Sequence, residues 1–209
     1  MSTILLDNDI VFKISRYSLV EEFMAVCATP NATYVLPTLK YVFRLESEDQ
    51  ALQRVGGKVP LQAMRTFLQE VEELHEQPSA EMLAYFQDID QIDAGEAVLF
   101  AMTAMWDDSM TITGDKRALI ALASLSQTVG LVDSLSGRLK CLEQIVAELM
   151  LAGFGDEVIS KVQGQSWDRA LRICFNSGDS DNALECLSSY YRDINGKCLG
   201  MLAPFPNPD

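Results

Sequence analysis

Four carboxylates stand out by position. Asp7 and Asp9 close a short apolar run, Ile4-Leu5-Leu6; Glu96 follows Gly95 at the head of an apolar stretch; Asp115 ends Thr113-Gly114-Asp115. Parallel α/β sheets bind ligands beyond the carboxyl ends of their strands, and Asp7 and Asp115 both follow strand-like runs. Gly95 and Gly114, each one residue before an acid, allow close approach of backbone or ligand. Carboxylates gathered at such a place can hold a divalent cation, because hard ions take oxygen ligands. Each acid also has a plainer use. Asp7 or Asp9 can cap the next helix, Asp93 and Glu96 can form a capping box, and Asp115 can be an N-cap. The chain has one histidine, His75, so a histidine-rich metal cage or a Ser-His-Asp triad lacks its parts. His75 sits among Glu72, Glu73 and Glu76 and reads as a surface residue. Five cysteines (Cys27, Cys141, Cys174, Cys186, Cys198) show no C-x-x-C spacing and read as reduced thiols in a cytosol, buried rather than nucleophilic.

The elements that must position these acids alternate. Thr3–Leu6 reads as a strand, followed by an amphipathic helix to about Arg16 and a second helix capped by Ser18. Pro30-Asn31 is a turn, Thr33–Leu36 a second strand, and Thr38 opens a helix to about Leu45. From Pro60, Leu61, Met64, Leu68, Val71 and Leu74 recur at helical spacing, and Pro78 ends that helix. Ser79–Gln87 is a shorter helix, Asp93 starts another, and Met110–Thr113 alternates like a strand before the turn at Gly114-Asp115. This pattern predicts an α/β fold with a mostly parallel sheet. From Ser136 the character changes: Leu139, Leu142, Ile145, Val146 and Leu149 form one helical stripe, followed by helices broken at Gly153, Gly164, Gly178 and Gly196. The division is therefore an α/β domain over 1–133, a helical extension packed on it over 134–203, and a loose Pro-rich tail over 204–209. Trp106 and Trp167 read as packing residues.

Charge is unevenly spread. The chain has 209 residues, 48% hydrophobic and 22% charged, with a formal charge of −14. Residues 66–115 hold twelve acids and no Lys or Arg, whereas residues 1–65 hold seven of each sign. Such a surface repels a phosphate backbone and suits a basic protein partner. Nucleic acid is expected to approach instead through the neutral N-terminal region that carries Lys13, Arg16, Lys40 and Arg44. The longest apolar stretch, Ala97–Trp106, is well short of the roughly 20 residues a spanning helix needs, and the N-terminus lacks the basic start of a signal peptide. No membrane association is expected.

Taken in order, Ile4-Leu5-Leu6-Asp7-Asn8-Asp9, Thr33-Tyr34-Val35-Leu36-Pro37, Gly95-Glu96-Ala97-Val98-Leu99 and Thr111-Ile112-Thr113-Gly114-Asp115-Lys116 resemble the landmarks of a PIN-like nuclease domain. That family is similar to the ribonuclease toxins of bacterial toxin–antitoxin pairs. The resemblance covers about residues 1–130 and implies a three-layer α/β/α core. It implies a Mg²⁺- or Mn²⁺-dependent nuclease, with RNA as the substrate and Asp7, Glu96 and Asp115 as both catalytic residues and metal ligands. Asp9 and Lys116 would be auxiliary, and Lys40, Arg44 and Arg117 would bind phosphate. A cytoplasmic protein, a protein partner and a homo-oligomer are all compatible with it.

The sequence departs from the family at one place. The further acid expected on the helix after the second strand is missing, because Thr38-Leu39-Lys40-Tyr41-Val42-Phe43-Arg44 contains none. Lys40 and Arg44 there either bind a phosphate or put positive charge where a metal ligand is absent and silence the site. The alternative is thus a catalytically silent PIN-like interaction module. A third reading takes Asp7-Asn8-Asp9 as the first motif of a haloacid-dehalogenase-like phosphatase, with Asp7 as nucleophile and Asp9 as general acid. No lysine lies between Thr66 and Asp115 to serve that motif.

Overall fold

Five short strands line up in parallel in the order β3-β2-β1-β4-β5. The computed structural model describes residues 2–28 and 31–207. The central strand β1 (Thr3–Leu6) lies between β2 (Ala32–Val35) and β4 (Ser109–Thr113). Its side chains alternate between two buried layers: Ile4 and Leu6 enter one core, and Leu5 enters another with Leu36, Leu99 and Met102. Burial on both faces is why the strand reads as a continuous apolar run.

Helices cover both faces, giving a three-layer α/β/α core. On one side lie α1 (Asn8–Arg16) and α5 (Lys58–Glu70), which pack on each other. Helix α1 buries Ile10, Val11 and Ile14, side chains each worth about 1.5–3 kcal/mol when removed from water. Between α1 and α5 run α2 (Val20–Phe23), α3 (Leu39–Val42) and α4 (Glu48–Val55). After α5 come β3 (Glu72–Glu73) and α6 (Ala80–Ala84). On the other side, α7 (Ala94–Met105) packs on β1, β4 and α9 (Val129–Leu135), with α8 (Lys116–Ala121) following β4. The C-terminal part is helical: α10 (Leu142–Leu149), α11 (Gly155–Val162), α12 (Arg169–Cys174) and α13 (Ser180–Lys197). These helices have no separate core of their own: Val146, Leu149, Leu171 and Leu187 join residues of α1 and α5 in one buried cluster.

Several local expectations need correction. The helix from Pro60 ends at Glu70, because Val71 is extended (φ −121°, ψ 160°) and leads into β3, which pairs with β2. Leu139 begins no helix: Leu139–Cys141 is β5, paired with β4, so the sheet continues past residue 134 into the expected extension. Ser18 makes no cap; its φ of +57° turns the chain, and Leu19 takes the N-cap position. Gly196 lies inside α13 rather than breaking it. In the tail, Phe205 packs on Tyr191 with ring centroids 5.2 Å apart, and the amide of Gln144 donates to the Ala203 carbonyl, so residues up to Phe205 are tied down. Pro30 of the expected turn and Pro208 and Asp209 of the tail lie outside the described residues. The expectation of five thiols is corrected as well. Cys174 and Cys186 form a disulfide between α12 and α13, whose Cα atoms stand 5.2 Å apart, while Cys27, Cys141 and Cys198 are buried and free. Among the described residues no helix is long and apolar enough to cross a membrane.

Candidate functional site

The chain runs from β1 outward to β3 on one side and from β4 to β5 on the other, so the order reverses between β1 and β4. Open α/β sheets bind ligands beyond the strand ends at such a reversal. Here a cleft of about 900 Å³ opens at that edge, lined by Asp7, Asp9, Asp93, Glu96 and Asp115, with Arg16, Arg54 and Arg117 also on its walls.

Asp7 occupies the N-cap position of α1 but its side chain does not cap the helix. Its Oδ2 instead accepts the hydroxyl of Thr113 at 2.9 Å, across the β1–β4 seam. The same Thr113 hydroxyl oxygen accepts the Asp115 backbone N–H at 3.0 Å, so one side chain fixes both strand ends. Asp7 is only 7% exposed. Burial pushes its pKa up to about 6, opposed by the Thr113 hydrogen bond and reinforced by the charges of Asp9 and Asp93.

Glu96 is brought alongside by α7. It is the N3 member of a capping box: Asp93 accepts its N–H at 2.9 Å, and Glu96 Oε2 accepts the Asp93 N–H at 2.8 Å. It is 5% exposed. Burial drives its pKa to about 8 against the help of the Asp93 N–H, and the charges of Asp7, Asp93 and Asp115 push the same way. Gly95 is needed for this approach, since a Cβ there would stand 2.9 Å from Leu36 Cδ1. Gly114 serves the other wall: a Cβ there would collide with the carboxylate of Asp9.

Asp115 caps α8, accepting the Arg117 and Ala118 N–H groups, and pairs with the Arg117 guanidinium at 2.9 Å. Burial raises its pKa, but these hydrogen bonds and the Arg117 charge outweigh it and hold the carboxyl below its usual value. Asp9 pairs with Lys13 at 2.7 Å, and Lys13 also reaches Asp168 at 3.1 Å. Burial works against the Lys13 charge, yet the two carboxylates hold its pKa above the ordinary lysine value.

The structure thus brings Asp7, Glu96, Asp115, Asp9 and Arg117, all singled out from the sequence, to one cleft. It does not place them around one ion. Among the described residues no group of three or more His, Cys, Asp or Glu side chains is arranged to hold a metal. The reason is local: Asp115 is committed to Arg117 and to its own helix. The other assignments need correction. Lys116 turns away and pairs with the fully buried Glu143. Lys40 bonds Glu73 at 3.3 Å and does not line the cleft. Arg44 lies beyond the end of α3 with φ +56° and faces a separate hollow with Tyr41 and Gln50. Residues missed from the sequence are Thr113, as the clasp between the strand ends, and Arg54 on the cleft wall; Arg16, named from the sequence among the cations facing nucleic acid, does line the cleft. A Thr two residues before a strand-end Asp was a readable signal for the first; nothing in the pattern marked Arg54.

No family model matches the chain, and neither the curated proteins nor the solved structures yield a match.

Proposed function

We propose that this chain is a PIN-like nuclease that hydrolyses phosphodiesters, with RNA as the substrate, and that the cleft at the β1–β4 reversal is its site. The observation that carries the reading is the pair Asp7 and Glu96: two buried carboxylates, both with raised pKa values, in a cleft that also carries three arginines. Buried carboxylates held near one another are under-neutralised, and a divalent cation relieves that.

The donors fit Mg²⁺ or Mn²⁺ in kind, since they are all oxygen. They fit in number as a two-carboxylate site, which suits Mg²⁺ because it keeps waters and takes substrate phosphate oxygens beside one or two carboxylates. Asp7 and Glu96 would hold the ion; Asp115 stands beside them, engaged by Arg117. Such a cation supplies charge neutralisation at the phosphodiester and an activated water. The chain's own residues do the rest. Thr113 orients the Asp7 carboxylate, and the Asp93 N–H orients Glu96. Arg117, exposed at the rim, meets the substrate's charge.

A second reading, a catalytically silent interaction module, is favoured by one observation: the capping roles of Asp93, Glu96 and Asp115 account for these residues without a metal. Under either reading the exposed acids of α5, β3 and α6 are the docking face for a basic protein, as in a toxin–antitoxin pair. A cytoplasmic location belongs to the same proposal.

The test is cleavage of a labelled RNA by purified protein with Mn²⁺, beside Asp7→Asn. That change keeps the shape and removes the charge. The nuclease reading expects turnover to fall at least about a hundredfold, beyond the 10–100-fold typical of groups that merely support metal ligands. Absence of cleavage by the unmodified protein, or equal cleavage by both, decides for the silent module.

A further inference from the structure

Most cations near the cleft are already matched. Lys13 holds Asp9 and Asp168, Lys40 holds Glu73, Lys116 holds Glu143 and Arg117 holds Asp115. Arg16 and Arg54 are different. Both line the cleft, and among the described residues neither forms a salt bridge.

Arg16 is also held in place. It sits in the last turn of α1, where its guanidinium carbon lies 5.2 Å from the Phe12 ring centroid and 4.9 Å from that of Trp167. Gly56 closes a third side, for a Cβ there would come within 2.7 Å of Nη2 and 2.9 Å of Nε. The Nε is buried and has no hydrogen-bond partner. Aromatic faces attract a guanidinium but leave its charge in place. The result is a fixed, uncompensated cation whose side-chain freedom has been removed before any ligand arrives, which lowers the cost of binding an anion. Arg54 reaches the same cleft from α4, aimed by a hydrogen bond from its Nε to the Val42 carbonyl at 3.3 Å. Phe12 and Phe43, stacked with centroids 5.4 Å apart, line the same cleft. The cleft is therefore bipolar, with buried acids where β1 meets β4 and two unmatched guanidiniums toward α1 and α4.

We propose that Arg16 and Arg54 form the phosphate anchor of the cleft, a two-guanidinium site that takes a backbone phosphate of an RNA strand beside the Asp7–Glu96 pair. Planar guanidiniums match phosphate oxygens with paired N–H donors, which an ammonium does not. The proposal rests on the nuclease reading only for the identity of the anion as an RNA phosphodiester. The arrangement of the two arginines stands apart from any metal, and it replaces the expected role of Lys40 and Arg44.

The experiment is fluorescence anisotropy of a fluorescein-labelled single-stranded oligouridylate with the full chain in excess EDTA, so that no cation takes part. The expected result is salt-dependent binding by the unmodified protein. Arg16→Met and Arg54→Gln should each weaken it by about tenfold, the scale of one charge-assisted contact. Each should also lower the salt slope by about one. Lys40→Gln should leave affinity within about twofold. Arg54 is exposed, so Arg54→Gln keeps the test sound even if Arg16→Met disturbs packing against Trp167. Quenching of Trp167 emission by the unlabelled oligonucleotide should disappear in Arg16→Lys, which keeps the charge and loses the fork. No binding in EDTA, unchanged affinity in both arginine variants, or an equal loss in Lys40→Gln overturns the anchor. The two readings separate cleanly. Cleavage that needs Asp7 but ignores Arg16 and Arg54 keeps the nuclease and removes the anchor. Arginine-dependent binding without Mn²⁺-dependent cleavage keeps the anchor and removes the nuclease.

Discussion

The segment from Glu70 to Asp90 and the cleft at the β1–β4 reversal are both acidic, yet their carboxylates live in different physics. Glu70, Glu72, Glu76, Glu81, Asp88 and Asp90 are exposed, and water and salt screen them over about 10 Å. Asp7 and Glu96 are buried in one cleft, where burial raises the pKa of Asp7 to about 6 and that of Glu96 to about 8. Glu143 supplies a third case: it is fully buried like the cleft acids, but Lys116 lies against it. The number of acids in a segment therefore says where charge is. Burial without a cation says where chemistry can happen: of the twelve acids in residues 66–115, Asp93, Glu96 and Asp115 line the cleft, and of those Glu96 alone is buried.

The largest expected effect comes from turning the paired case into the unpaired one. Lys116→Met leaves the Glu143 carboxylate buried and alone, which costs about 3–5 kcal/mol when one partner of such a pair is removed. Urea unfolding at pH 7 measures it, and a loss under about 1 kcal/mol would erase the distinction between Glu143 and a surface acid.

The second test uses pH. Glu96 titrates near 8 in the folded chain and Asp7 near 6, against ordinary values of 4.5 and 3.8. The folded state thus binds more protons than the unfolded one between about pH 4 and pH 8. The stability these groups contribute is full below pH 4 and is lost as pH rises through 6 and then 8. Asp115 and Asp168, held low, act in the opposite sense, but only as pH falls through the acid range below about 4. In EDTA the unfolding free energy should therefore fall by a few kcal/mol between pH 5 and pH 8. Glu96→Gln should flatten most of that slope, and Mn²⁺ should restore stability at pH 8. A wild-type profile that is level from pH 5 to pH 8 would place Glu96 with the solvated acids.

The smallest effect belongs to the surface. Glu72→Lys with Glu76→Lys should change stability by less than about 0.5 kcal/mol and leave cleavage untouched. The same reversal should weaken docking of a basic protein partner there most at low salt, where screening is least, as surface-plasmon binding at two ionic strengths would record.

What was readable in the sequence follows from how each element is stabilised. Strands β1, β2 and β4 carry buried side chains, and their apolar or β-branched runs announce them. Strand β3 is Glu72–Glu73, joined to β2 through the backbone alone, so no side-chain pattern marks it. Strand β5 runs straight into α10, and Leu139 and Leu142, three apart, mimic a helix face. In the site, Asp7, Glu96 and Asp115 were legible because each follows a strand or opens a helix, positions with fixed geometry. Asp115's capture by Arg117 was not, since it depends on a rotamer. Arg54 looked like any solvated helical arginine, and Arg16 was read only as one cation of a neutral region; packing brings the end of α4, at Gly56, against Arg16. Lys40 and Arg44 misled for the converse reason: the helix expected to align them ends at Val42, before Arg44.

The register Thr3↔Ser109 sets an order of events in synthesis. The middle strand of the sheet is made first, and its neighbour on one flank is made more than a hundred residues later. At translation rates of roughly 5–20 residues per second, that flank waits about 5–20 s for its partner. During that interval the nascent chain carries Leu5 and Leu6 on an open edge, and Asp7 has no Thr113 to hold it. A truncated product ending before residue 109 therefore contains Asp7 and Glu96 without the Thr113 hydroxyl that orients Asp7.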